Sequence, residues 1–148
     1  MGGTVSGEEH YRKLERLYLA APTNAYYRPL IRISDGEAEI VIPVRTDFYH
    51  AADAVHGSVY FKALDDACFF AANSVVTDVL VLTVTFSIYF TRPASQGELR
   101  ATGKLVHRSR RLFVSEGILI DAAGRQLARG SGSFMRSDIR LDPEAGYE

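Results

Sequence analysis

Two neighbouring carboxylates, Asp65 and Asp66, lie midway along GSVYFKALDDACFFAAN (57–73). That segment has helical spacing: at 100° per residue, Tyr60, Leu64, Ala67, Cys68 and Ala71 share one face. Asp66 points the other way, four residues from Lys62, and a solvated surface pair accounts for it. Asp65 instead borders the apolar face near Phe61 and Ala72. A carboxylate beside an apolar stripe is poorly placed for solvation, which favours a chemical role. His56-Gly57-Ser58 opens the segment, and His56 reads as a hydrogen-bonding group at the helix start rather than a base. Cys68 falls on the apolar face with no activating partner at helical spacing, so it packs. His10, His50, His56 and His107 show no metal-ligand spacing, and the local group His50, Asp53, His56 is too sparse to predict a metal. Gly130-x-Gly132 lacks the lysine and helix of a phosphate loop. Arg108, Arg110 and Arg111, with Lys104 nearby, form a charged turn, and such runs are ordinarily solvated.

The elements that must hold these residues follow from pattern. Residues 8–20 form a short amphipathic helix, with Ser6 and Glu9 as a capping box and Pro22 as its stop. Strands at 29–34 and 37–44 flank Asp35-Gly36, a hairpin turn. Residues 45–56 are irregular, and 57–73 form the long central helix. In 81–91, Leu82, Val84, Phe86, Ile88 and Phe90 alternate with Thr83, Thr85, Ser87, Tyr89 and Thr91, predicting one apolar and one polar face. Further strands follow at 99–107, 111–121 and 125–136, and the polar tail 137–148 is expected to fray. Gly103, Gly117, Gly130 and Gly132 inside these strands allow bending or close backbone approach. The pattern predicts an α+β fold in which a curled antiparallel sheet wraps one apolar helix.

The 148 residues suit one domain, divided here into an extension (1–24), a core (25–137) and a tail (138–148). A net charge of −1 argues against a nucleic-acid partner. A single cysteine excludes an internal disulfide framework. Neither a secretory signal nor a membrane span is visible, so a cytoplasmic location with no membrane partner is expected.

The segment HGSVYFKALDDACFFAANS (56–74) resembles the signature of hotdog-fold acyl-CoA thioesterases of the phenylacetic-acid-degradation (PaaI-like) branch. The resemblance rests on His56-Gly57-Ser58, Asp65 nine positions after the histidine, and Asn73. FTRPA (90–94) and GSGSF (130–134) extend it over roughly residues 30–136. It implies hydrolysis of an acyl- or aryl-CoA thioester to free acid and coenzyme A, with no cofactor. Asp65 would be general base or nucleophile, and the Gly57 N–H would stabilise the oxyanion at the helix start. The resemblance also places Ser58 and Asn73 in the substrate-binding set and Thr83 where a Ser or Thr orients water; the functional reading of the Arg108, Arg110, Arg111 turn is a landing site for coenzyme A phosphates through charge-assisted contacts. His50 stands where the branch often has an Asn, and could donate one hydrogen bond with different reach and a titratable ring. Gly57 and Asp65, eight residues apart, are about 12 Å apart along a helix. The resemblance resolves this by building each site between two subunits, which implies a homodimer and often a homotetramer. The 81–91 strand would otherwise be an exposed edge. Two alternatives are a non-catalytic acyl-CoA-binding hotdog protein and a hotdog enoyl-CoA hydratase or dehydratase.

Overall fold

The computed structural model describes residues 6–148, so Met1–Val5 of the expected extension lie outside the described residues. Helix α1 (Gly7–Ala20) begins where the Ser6 hydroxyl accepts the Glu9 N–H at 3.2 Å. After Pro22 comes a single turn, α2 (Asn24–Tyr27), which the pattern did not predict; it ends at Arg28 in the left-handed region, φ 54°. Strands β1 (Leu30–Ser34) and β2 (Glu37–Pro43) form the expected hairpin, with Gly36 at φ 70°. The long helix α3 (Gly57–Asn73) follows, then β3 (Val79–Phe90), β4 (Glu98–Arg108), β5 (Leu112–Ile120) and β6 (Gln126–Arg140). All strand pairs are antiparallel, in the order β1-β2-β4-β5-β6-β3.

The sheet curls round α3. Ala63, Leu64 and Ala67 of the helix are fully buried in one cluster with Leu99, Ala101 and Leu119 of the sheet, and Cys68 in a second with Val81, Phe113 and Phe134. Contact is closest at Gly103, where a Cβ would lie 2.5 Å from the Ala67 carbonyl group. Only glycine lets the helix backbone settle onto β4 there. This is the hotdog arrangement.

Two sheet edges are left, and they are treated differently. At β1, α1 covers the edge: Glu15 accepts the Ile33 N–H at 2.8 Å, and Arg12 donates to the Ile33 carbonyl at 2.6 Å. Beyond β6, the outer edge of β3 is paired with no other strand among the described residues, and Leu82, Val84, Tyr89 and Phe90 are exposed.

Two expectations change. The uniform alternation of 81–91 is broken by an irregularity in the β3–β6 register between Thr83 and Thr85. Before it, Val79, Val81 and Thr83 face the helix; after it, Phe86 and Ile88 do. One extra residue shifts the parity of everything beyond it. Leu82 and Val84 are therefore on the outside, and Thr83 is on the inside. The tail also does not fray: β6 runs to Arg140, and Tyr147 is buried. His10 of α1 fixes it. Its Nε2 donates to the Asn73 carbonyl (2.9 Å), and its Nδ1 accepts the Tyr147 hydroxyl (2.8 Å). No helix among the described residues is long and apolar enough to cross a membrane.

Candidate active site

Asp65 projects from the middle of α3 toward the start of β3. The inward turn of Thr83 puts its hydroxyl 2.8 Å from Asp65 Oδ1, donating to it. Burial is the main influence on Asp65 and pushes its carboxyl up to about 6. The Thr83 hydrogen bond and Lys62 pull it down, while the Asp66 charge pushes it up. The residue therefore titrates close to neutrality, which suits a group that takes or gives a proton. It sits in a pocket walled by Leu17, Tyr18, Phe69, Phe70 and Leu82.

Asp66 has a different environment from the solvated pair expected of it. It meets Lys62 at 2.7 Å, but both side chains are only 15% exposed. Tyr18 of α1 caps the pair, its hydroxyl donating to Asp66 Oδ2 at 2.6 Å. The Lys62 ammonium lies 5.1 Å from the Tyr18 ring centroid and 5.2 Å from that of Tyr27. Burial raises the Asp66 carboxyl and also the Tyr18 hydroxyl, while Lys62 and the Tyr18 hydrogen bond pull Asp66 part of the way back down. The two carboxylates are thus divided by their surroundings. Asp66 is consumed by structure, and Asp65 keeps one oxygen uncommitted.

A second pocket opens at the start of α3, lined by His50, Val55, Gly57, Tyr60, Phe90 and Arg92. His56 is the N-cap: its Nδ1 accepts the Ser58 N–H at 3.0 Å and faces the Ser58 hydroxyl at 2.8 Å. That uses the second N–H of the helix, and the Val59 N–H goes to the His56 carbonyl. The Gly57 N–H has no acceptor among the described residues. A Cβ at Gly57 would approach the tip of the exposed Phe90 ring at 2.9 Å, so the absence of a side chain there makes room for that ring. His50 Nδ1 accepts the Ala52 N–H at 3.0 Å, which leaves its Nε2–H as a donor.

The structure thus gathers His50 and Gly57 at one pocket, with His56 and Ser58 engaged with each other in the adjoining helix cap, and Asp65 with Thr83 at another. It does not bring the two groups together within one chain. Arg108, Arg110 and Arg111 are exposed at the β4–β5 turn. Asn73 lines neither of these pockets. It is fully buried, donates to the Val76 and Val79 carbonyls, each at 3.1 Å, and accepts the Val81 N–H at 2.8 Å. Its amide ties the end of α3 to the start of β3, so the substrate-binding role expected of it gives way to a structural one. Cys68 is buried, which pushes its thiol up to about 12 and suits it to packing. Among the described residues, no group of three His, Cys, Asp or Glu side chains is arranged to hold a metal. Sequence reasoning missed Tyr18. Its partner is 48 residues away, and no local spacing signals the contact.

Solved structures resemble this one closely. The PaaI protein from the Escherichia coli phenylacetic acid degradation operon superposes with a TM-score of 0.83 at 18% identity, covering 93% of this chain and 99% of that one. AziG from S. sahachiroi gives 0.74 at 28% identity, covering 82% and 98%. A mutant of the phenylacetic acid degradation protein PaaI from Thermus thermophilus gives 0.71 at 21% identity, covering 79% and 100%. No curated protein matches the sequence. The model of the thioesterase superfamily matches residues 53–128, just over half of the chain and the stretch that holds Gly57, Asp65 and Thr83. The chain belongs to the thioesterase superfamily, and it is a thioester hydrolase of the hotdog fold.

Proposed function

We propose that the protein hydrolyses acyl-CoA thioesters at sites completed by a second copy of the chain, with Asp65 as general base or nucleophile. The observation that carries this is the separation of the two half-sites. A partly buried carboxylate held by Thr83 lies at one pocket, and a free helix N-terminal N–H lies at another, about 12 Å along α3.

Strand β3 explains how a second copy would join them. Thr83 stands beside Asp65, and Phe90 stands beside Gly57. If two β3 edges pair antiparallel about a twofold axis between Phe86 and Ser87, Thr83 of one faces Phe90 of the other. The Asp65 pocket of each chain then adjoins the Gly57 pocket of its mate. The open β3 edge, beside a β1 edge already covered by α1, supports this choice.

In such a site the thioester carbonyl oxygen points at the Gly57 N–H, where the helix dipole favours developing negative charge. The His50 Nε2–H is a second donor at the same pocket. Asp65 attacks the carbonyl carbon, or takes a proton from the water that does. Thr83 fixes the carboxylate so that one oxygen faces the reacting carbon. Collapse of the tetrahedral intermediate breaks the C–S bond and releases the coenzyme A thiolate, which takes up a proton; where Asp65 is the nucleophile, water then hydrolyses the acyl-aspartyl anhydride to the free acid and restores the carboxylate.

The test is thiol release from a panel of acyl- and aryl-CoAs, with wild type beside Asp65→Asn. Sedimentation of both proteins gives the oligomeric state. Turnover that falls by several orders of magnitude in a folded dimeric variant supports the reading. An Asp65→Asn variant as active as wild type overturns the role of Asp65. A monomer with full activity overturns the shared site. Tight acyl-CoA binding without thiol release would instead point to the non-catalytic alternative.

A further inference from the structure

The N-terminal segment is part of the Asp65 pocket. Leu17, Tyr18 and Ala21 face Phe69 and Phe70 of α3 and Leu82 of β3 across a depression of about 290 Å³. Leu80 extends this apolar lining, and the polar part is Thr23 and Asn24 beside Lys62, Asp65, Asp66 and Thr83. The one cation there is committed, since Lys62 is paired to Asp66 and lies close to the Tyr18 and Tyr27 rings.

Helix α1 is a fixed wall rather than a lid. Tyr18 is bonded to Asp66, Glu15 and Arg12 to the Ile33 backbone, and His10 to both Asn73 and Tyr147. Lifting it would strand a buried ion pair and the buried His10, which is unfavourable by several of these contacts at once.

We propose, building on Asp65 as the reacting carboxylate, that α1 forms the acyl-recognition wall and that Leu17 sets the length of the acyl group. The group accepted is an uncharged apolar chain or ring. An acyl group ending in a carboxylate is rejected, because it would meet two carboxylates and no free cation. Leu17 is the residue to change, because it is only partly buried and its side chain ends in the pocket.

The experiment compares kcat/KM for straight-chain acyl-CoAs from acetyl to decanoyl, and for succinyl-CoA, in wild type, Leu17→Ala and Leu17→Trp. In wild type, kcat/KM should rise roughly fourfold per methylene until the pocket is full. Succinyl-CoA should fall about tenfold or more below butyryl-CoA, the penalty for an unpaired charge in an apolar site. Leu17→Trp should move the optimum to shorter chains and Leu17→Ala to longer ones. An identical optimum in all three overturns the proposal, as does preference for succinyl-CoA.

The sequence has no tryptophan, so Leu17→Trp also carries a unique fluorophore at the wall. If wild type hydrolyses no thioester, the functional reading fails on its own account. The wall is then judged by emission alone. A spectral shift with octanoyl-CoA but not with coenzyme A upholds it, and no shift overturns it. Ala21→Trp supplies both readouts from a second position should Leu17→Trp not fold.

Discussion

Replacing Thr83 by valine keeps the volume and β-branching of the side chain and removes one hydroxyl. That hydroxyl donates to Asp65 Oδ1 at 2.8 Å and favours the charged carboxylate. A hydrogen bond to a charged group contributes about 1.5–3 kcal/mol, and partial solvent access at Asp65 argues for the lower end. About 1.4 kcal/mol is one pKa unit, so the Asp65 carboxyl should move from about 6 to roughly 7. The base acts deprotonated, so its activity rises with pH through this value, and raising the pKa moves the acid limb of kcat/KM upward. At pH 6 the active fraction falls from about one-half to about one-tenth, a loss of roughly fivefold, whereas at pH 8 it falls by only about a tenth. The assay is the pH profile of kcat/KM for one good acyl-CoA substrate from pH 5 to 9, followed by loss of the thioester. An acid limb that stays at its wild-type position refutes the claim that Thr83 holds the charge on Asp65. A uniform loss at all pH values would show instead that Thr83 acts by placing water.

Three further outcomes follow from the same geometry. Asp65→Asn should stabilise the fold at neutral pH while removing activity. The native carboxyl lies at about 6, above its ordinary 3.8, so ionising it destabilises the fold as pH rises through that window. The gain is about 2 kcal/mol above pH 7 after allowance for partial exposure, and it vanishes below about pH 4; equal melting temperatures at pH 7.5 would contradict it. Gly57→Ala and Gly103→Ala should separate chemistry from folding. The first meets only the tip of an exposed Phe90 ring and should lower kcat with little change in denaturation midpoint, whereas the second meets the Ala67 backbone at 2.5 Å and should cost more than about 3 kcal/mol. Tyr18→Phe leaves the ring near Lys62 but removes a hydrogen bond to a buried carboxylate, so chemical denaturation should show a loss of about 1.5–3 kcal/mol; a change within error would mean Asp66 is solvated after all.

Where local pattern decides, the sequence was legible. The helix at 57–73 agrees with α3 end to end, because its alanines and apolar face bury continuously against the sheet. The hairpin at Asp35-Gly36 and the strand count also hold, since turn chemistry and period-two patterning are local signals. What failed depended on distant partners. The irregularity beyond Thr83 follows from pairing with β6, about 50 residues later, and it puts Leu82 and Val84 on the opposite face from Phe86 and Ile88. The run Val79-Leu80-Val81-Leu82, apolar at both parities, was a hint that simple alternation would not hold. The tail was read from its polarity, but Tyr147 alone is enough to anchor it on His10. Asn73 carried a motif position, yet its three hydrogen bonds are all to backbone.

The two adjacent carboxylates show most directly why helix geometry alone stops short of function. A wheel separates Asp65 from Asp66 by 100° and predicts that one faces structure and the other solvent. Both are in fact shielded, and what distinguishes them is the company each keeps. Asp66 has a cation and a phenol within hydrogen-bonding distance, so its charge is balanced and its oxygens are engaged. Asp65 has one hydroxyl and no cation bonded to it, so burial dominates and its carboxyl titrates near 6. Helix α1 creates that asymmetry, because Tyr18 reaches only Asp66. The segment that walls the pocket therefore also engages the carboxylate that Lys62 of α3 neutralises, leaving the other poised to react.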